Sequence, residues 1–302
     1  ARTLALAACP FPMSRPFRIL RLFTLGALLP ALLGPLTPAA AAGPVSYEYK
    51  LPLRTAAFAE NERDAAEAYA RAFASLLRET QGAEVRPRVR VEHEREVRFL
   101  DTPHHCALRS AGWILRTRTQ GRNLQLTLKT RSTDEARVLA TRLDAPGAIA
   151  KLEQDVEGPD RQQLSRSVTL KLVGDPIPGT LGQAAARFPV LKGVANDDAR
   201  LDVVGGSVVK ETVYKLSTWK TAGTRYDAGV TVWRSVPEGR LLFVEADFAY
   251  TTPSDAPSAR LAEAKARALF AAMQSDLGWA AARAQTKTDF VYTTLGGDYC
   301  RR

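Results

Sequence analysis

The chain is poor in the residues that build most familiar sites. Three cysteines and three histidines in 302 residues leave no Cys/His spacing able to hold a zinc ion. The one histidine pair, His104-His105, is adjacent, so its side chains diverge and do not chelate; a surface turn suits both, and a strand face suits His93. There is no Gly-x-Ser-x-Gly elbow and no phosphate-cradling glycine loop. Beyond the first forty or so positions no apolar run approaches the roughly 20 residues of a membrane helix. With 45% apolar and 25% charged residues, a disordered tail, a collagen-like fibre and a disulfide mini-protein are excluded too. Lysine is also scarce, 10 against 32 arginines.

Acidic residues are missing before Glu48, while Arg2, Arg15, Arg18 and Arg21 precede it. Met13 opens a segment with a basic start at Arg15, Arg18 and Arg21. An apolar stretch from Leu22 to Leu36 follows, broken by Pro30 and Pro35. Ala39 to Ala42 then supply the small residues that signal peptidase needs. Residues 1–42 therefore read as an export signal cleaved near Ala42, and residues 43–302 as a single exported domain without a membrane span. Leu6-Ala7-Ala8-Cys9 looks like a lipobox, but it precedes the basic region and is read as chance. Cys106 and Cys300 remain after cleavage. An oxidising compartment would let them pair, but whether their Cα atoms approach is open at this level. The net charge of +10 favours anionic partners without choosing among them.

Several segments alternate apolar and polar positions with charges at their centres. Ser46, Glu48 and Lys50 share one parity, as do Arg116 and Arg118, and Gln125, Thr127 and Lys129. Lys151, Glu153 and Asp155 repeat the pattern, followed by Glu245 and Asp247. One such strand is an ordinary half-solvated sheet. Five suggest a barrel with a polar lumen, its outer face covered by helices over 55–79 and 257–279, where Phe58, Tyr69, Phe73, Leu76 and Leu77, then Leu261, Leu269, Phe270, Met273 and Leu277, form apolar stripes. Asp101-Thr102-Pro103 is expected to cap a short helix that Gly112 stops. Gly158-Pro159, Gly174-Asp175-Pro176 and Pro178-Gly179 mark turns in a less regular middle. Arg86 to Arg90, followed by Glu92, Glu94 and Glu96, reads as a solvated edge strand rather than a nucleic-acid surface.

The few lysines are placed pointedly. Lys50, Lys129, Lys151 and Lys210 all fall on the polar faces of these strands. An ammonium grips a phosphate oxygen as a point charge and a guanidinium as a planar fork. A tunnel carrying both beside carboxylates suits a phosphate chain with its metal ions.

These residues resemble the CYTH, or triphosphate tunnel metalloenzyme, superfamily. Glu48-Tyr49-Lys50 keeps the end of its Glu-x-Glu-x-Lys signature. Phe99-Leu100-Asp101-Thr102-Pro103, Ala111-Gly112 and Leu115-Arg116-Thr117-Arg118 are similar to its FDTP…AG…LRxR stretch. Leu126 to Lys129 matches LTLK, Lys151 to Asp155 is similar to its basic-x-Glu-x-Glu strand, and Phe243 to Asp247 to FVEIE. The resemblance implies an α+β fold, an eight-stranded antiparallel β-barrel forming a tunnel with helices packed outside. It implies Lys50, Arg116, Arg118, Lys129, Lys151 and Lys210 as phosphate-binding residues. Glu48, Glu153, Asp155, Glu245 and Asp247 would hold one or two Mg²⁺ or Mn²⁺ ions, with Glu48 and Glu153 also catalytic.

Three departures stand out. Ser46 replaces the first signature carboxylate, Thr212 takes the place of a second base after Lys210, and Arg234 occupies a position that is often Asp. The function these features imply is an exported metal-dependent phosphohydrolase acting on triphosphate, short polyphosphate or a nucleoside triphosphate. The alternative is a non-catalytic module of the same fold that binds polyphosphate or another polyanion; a barrel scaffold with an unrelated partner is the third reading. The expected partner is an anionic phosphate-chain small molecule, not nucleic acid.

Overall fold

The computed structural model describes residues 45–158, 160–252, 256–276 and 278–301. The proposed export signal and its cleavage region, Pro159 and Leu277 lie outside these residues. In chain order the strands are β1 (Ser46–Pro52), β2 (Arg90–Asp101), β3 (Trp113–Gln120), β4 (Asn123–Ser132) and β5 (Ile149–Gly158). They continue as β6 (Arg161–Val173), β7 (Asp202–Val203), β8 (Val208–Thr221), β9 (Thr224–Val236) and β10 (Leu241–Thr251).

They hydrogen-bond in the order β3-β4-β6-β5-β1-β10-β9-β8-β2, and β2 pairs back onto β3. That last pairing closes the sheet. The short β7 only extends the end of β2. The barrel thus has nine strands, not the expected eight, and it is not wholly antiparallel: β1 runs parallel to β5, with Ser46 beside Glu153 and Glu48 beside Asp155. A ring of alternating directions cannot close on an odd number of strands, so one parallel pair is forced. The basic run at 86–90 leads into the end of β2 that pairs with β8 alone: β3 joins only from Glu96, so residues 90–95 form a largely solvated edge, and the barrel closes through the second half of β2.

Alternation within each strand sorts the side chains. The outer faces of β1, β8, β9 and β10 carry Tyr49, Leu51, Tyr214, Val230 and Phe248, buried beneath helix α1 (Glu62–Gln81). Leu115, Leu126 and Leu128 face outward on β3 and β4 into a second core. Two short helices, α2 (Ala107–Ser110) and α3 (Glu135–Ala140), are followed by α4 (Leu181–Arg187), whose Leu181, Ala184 and Ala185 fill that second core. Helix α5 (Ala256–Ser275) lays Ala262, Ala266, Leu269, Phe270 and Met273 on the first core. Burial on this scale stabilises by about 25 cal/mol per Å² of apolar surface.

Helix α1 begins later than the stripe from residue 55 suggests. Asn61 accepts the Arg63 and Asp64 N–H groups through its side chain, and Gly82 at φ 65° ends the helix. Such a cap stabilises by about 1 kcal/mol, and residues 55–58 are left as a separate 3₁₀ turn. The Asp101-Thr102-Pro103 cap also acts at longer range than expected. Asp101 accepts N–H bonds from Thr102, Leu108 and Arg109, and the Thr102 hydroxyl accepts from Ala107. The helix starts at Ala107, and His104 and His105 remain exposed on the turn before it. Gly112, at φ 83°, ends it as expected. Cys106 and Cys300 form a disulfide across 194 residues.

The C-terminal segment closes around one end of the barrel. Helix α6 (Lys287–Phe290) and the turn after it bury Phe290, Val291 and Tyr292 among Val97, Phe99, Trp233 and Phe243. The Tyr292 hydroxyl donates to Asp101.

Candidate functional site

The charged face of β1, β3, β4, β5 and β10 points into the lumen, where register sets the neighbours. Lys50 stands opposite Asp247 and beside the Glu48 to Asp155 pairing. On the other wall, Arg116 lies opposite Thr127 and Ile114 opposite Lys129. Lys151 and Lys129 both face Ser167 of β6. Together they bound a cavity of about 270 Å³, with Glu48, Lys50, Arg116, Lys129, Glu153 and Glu245 on its wall.

The ions in it are linked. Lys50 Nζ is 2.6 Å from Asp155 and 2.9 Å from Glu48. Lys129 Nζ takes the other Asp155 oxygen at 2.9 Å and lies 3.9 Å from Glu153. Lys151 reaches Glu153 at 2.6 Å while its own side chain is 55% exposed, which puts it at the mouth; Lys50 and Lys129, at 18% and 17%, sit deeper.

Electrostatics divide these carboxylates. Burial opposes the charge on Glu48, but the Lys50 ammonium outweighs it and holds the carboxyl down at about 2. Burial likewise opposes the charge on Asp155, and Lys129 and Lys50 drive it well below the ordinary range. Glu153 moves the other way, pushed up by burial and by Glu48. Burial with Glu48 and Glu245 nearby raises Asp247 to about 7. Arg116 is pushed down to about 9 by burial and by the Arg118 charge. Its Nε is buried without a hydrogen bond, whereas the Glu153 Oε1 is held by the Lys151 ammonium at 2.6 Å. A buried guanidinium nitrogen with no acceptor is costly, and an anion in the cavity would satisfy it.

Glu48, Glu153 and Asp155 each offer an oxygen within 4.8 Å of the others. This cluster could bind a metal: carboxylate oxygens are hard donors of the kind that Mg²⁺ and Mn²⁺ take.

Not every residue singled out in the sequence reaches the cavity. Lys210 points away from it, 51% exposed and paired with Glu94. Lys210 is opposite Arg234 across β8 and β9, and one residue along Glu211 is opposite Trp233. The side-chain period of two places that second pair inside and the first outside. Arg234 binds Glu62 of α1 at 2.9 Å, and Ser46 donates its hydroxyl to the Tyr250 carbonyl.

Glu211 is the main residue that sequence reading missed. It accepts from Arg95 at 2.6 Å and from the Trp233 indole at 2.9 Å, and it lies 3.3 Å from Arg118. Burial would raise its carboxyl, but Arg118 and Arg95 outweigh burial and hold it far down. Arg131, paired with Glu157, and Lys287, paired with Glu245 at 2.7 Å, complete the cavity. Arg131 continues the parity of Thr127 and Lys129 and was readable; Lys287 follows no strand pattern and was not.

No family model matches the chain, and no curated protein matches it. Solved structures do. One is a Hippeastrum protein named an adenylyl cyclase and described by a dominant triphosphatase activity: 12% identity, 82% of this chain and 94% of that one, TM-score 0.40. Two more, also named adenylate cyclases, come from Bacillus halodurans (11% identity, 76% and 90% covered, TM-score 0.34) and Vibrio parahaemolyticus (13%, 82% and 98%, TM-score 0.33). The neighbours are therefore adenylyl cyclase-like and triphosphatase proteins. At TM-scores this low they carry no weight for the chemistry, which rests on the tunnel's own side chains. Among the described residues no helix is long and apolar enough to cross a membrane.

Proposed function

We propose that the lumen binds a phosphate chain together with a divalent ion, and that the protein is an exported phosphohydrolase of triphosphate, short polyphosphate or a nucleoside triphosphate. The observation that carries this reading is the convergence of Lys50, Lys129, Lys151, Arg116 and Arg118 on one cavity of about 270 Å³ around three clustered carboxylates. Phosphoryl transfer asks the protein mainly to neutralise and position charge, and this wall does that. Arg116 and Arg118 would clamp phosphate oxygens, Arg116 through the nitrogen that now lacks an acceptor. Lys151, at the mouth, would meet the chain first. Glu48 and Glu153 would hold Mg²⁺ or Mn²⁺, with Asp155 gripped by both deep lysines as the third donor. A bound divalent ion would withdraw charge from the phosphates. Glu153, whose carboxyl is pushed up by burial and by Glu48, would also orient an attacking water.

Export is supported by the composition of residues 1–42 and by the Cys106–Cys300 disulfide, which suits an oxidising compartment. The test is phosphate release by the purified protein from triphosphate, short polyphosphate, ATP and pyrophosphate with Mg²⁺, Mn²⁺ or EDTA. Metal-dependent release that disappears in Glu153→Gln and Lys129→Ala is the expected result.

One observation favours the second reading, a polyanion-binding module. Ser46 stands level with Glu153 in place of a carboxylate and spends its hydroxyl on a backbone carbonyl. Folded protein that binds polyphosphate by calorimetry but releases no phosphate under any of these conditions would select that reading.

A further inference from the structure

Lys287 does not belong to the barrel. It is delivered into the lumen by the C-terminal segment, and three separate contacts fix that segment. Thr286 caps α6 through its hydroxyl and accepts an N–H from Arg131 at 2.9 Å. Phe290, Val291 and Tyr292 are buried among Phe99, Trp233 and Phe243. Cys300 is bonded to Cys106. The Lys287 ammonium therefore sits in a place set by the C-terminal segment's own packing and not by strand register, 2.7 Å from Glu245 Oε1 and 5.9 Å from the centre of the Trp233 ring.

Glu245 is 3% exposed and, among the described residues, pairs with none of the lumen lysines on the strands. A carboxylate buried that deeply needs a counter-cation. Two arrangements can supply one: a divalent ion held jointly with Asp247, or the ammonium already there. Three other lumen carboxylates differ: Glu48, Glu153 and Asp155 approach one another within 4.8 Å and are paired by strand lysines that a phosphate chain would draw away.

We propose that Lys287 is a built-in cation that takes the place of a second metal ion, so that the tunnel holds one divalent ion, at Glu48, Glu153 and Asp155, and binds the phosphate chain between that ion and the Lys287 ammonium. This rests on the metal-and-phosphate reading above and specifies it. Glu245 then serves as the positioning partner of Lys287 and not as a metal ligand. The ammonium has three donors; one is used by Glu245, which leaves others for phosphate oxygens on the cavity side.

The test counts Mn²⁺ bound to the intact, disulfide-bonded protein by electron paramagnetic resonance, with and without tripolyphosphate. The expected counts are one ion in the parent, one in Lys287→Arg, and two in Lys287→Met, where Glu245 loses its ammonium and opens to metal. Melting temperature and far-ultraviolet circular dichroism identify any variant that has lost its fold, and Lys287→Gln, for which two ions are likewise expected, keeps the test decisive if Lys287→Met has. Two ions in the parent, or one ion in a folded Lys287→Met, would overturn the inference while leaving the metal-dependent reading standing. No Mn²⁺ in the parent under either condition would overturn that reading and the inference with it.

Discussion

Arg116 and Glu211 show opposite ways of placing a charge in the same lumen. Arg116 has a buried Nε with no acceptor, and its guanidinium lies 6.0 Å above the Phe99 ring. Burial therefore works against its charged form, the usual trade of stability for function. Arg116→Met is therefore expected to melt at or above the parent's temperature while losing about tenfold in tripolyphosphate affinity by calorimetry, the scale of one charge-assisted hydrogen bond. Glu211 is fully engaged by two guanidiniums and an indole. Glu211→Gln leaves Arg95 and Arg118 without a buried counter-charge and should cost on the order of 3 kcal/mol in chemical denaturation. The sign of its pH dependence follows from the depressed carboxyl. A group whose folded pKa lies below its unfolded value of about 4.3 stabilises above that value and loses the contribution as pH falls toward the folded one. The gap between parent and Glu211→Gln should be full near neutral pH and narrow steadily below about pH 4. A gap independent of pH would mean that Glu211 acts through shape and not charge.

Strands with charge at their centre were legible from sequence, because a charged residue between apolar neighbours has only one face to occupy. β1, β3, β4, β5 and β10 announce their inward residues in this way. β6, β8 and β9 do not. β6 lines the lumen with Ser165, Ser167 and Thr169, and β9 with Gly229 and Thr231 near the carboxylates, residues that look alike on either face. With β8 read through Lys210, its register slipped by one, and the pair that enters the lumen, Glu211 and Trp233, was exchanged for the pair that stays outside. The C-terminal segment was illegible for another reason: its contribution depends on packing against Phe99, Trp233 and Phe243, far away in sequence, and on a disulfide whose pairing spacing alone leaves open. That element carries its own prediction. Replacing both cysteines, Cys106→Ser with Cys300→Ser, should lower stability by about 2–5 kcal/mol and loosen the seat of Lys287. Tryptophan fluorescence from Trp233, beneath that ammonium, should shift along with the melting temperature. A double variant that melts with the parent would show that the aromatic cluster alone holds the segment.

At the scale of the whole molecule, nine strands close a ring whose lumen is ionic around the cavity and aromatic where the C-terminal segment packs into it. The lumen's bases and acids nearly balance, with Lys50, Lys129, Lys151, Arg131 and Lys287 each facing a carboxylate. Charge of both signs inside so small a space pairs most of the lumen's ions with one another, and it sets a condition on ligand binding. A highly charged phosphate chain entering alone must pull the lysines from their carboxylates and leave those carboxylates buried and unpaired, which is costly. Glu48, Glu153 and Asp155 would hold a divalent ion arriving with it, and Lys50, Lys129 and Lys151 would then be free to turn to phosphate. Metal and phosphate chain should therefore bind with strong positive coupling, each raising the other's affinity by the same factor, as linkage requires. Calorimetry with Mn²⁺ and tripolyphosphate, corrected for the complex they form in solution, should show at least a tenfold mutual enhancement in the parent. Glu153→Gln should lose most of it, because one of the carboxylates that the ion would serve is gone. Equal tripolyphosphate affinity in Mn²⁺ and in EDTA would mean that the lysines leave their partners without help, and that the carboxylates tune the basic wall instead of recruiting an ion.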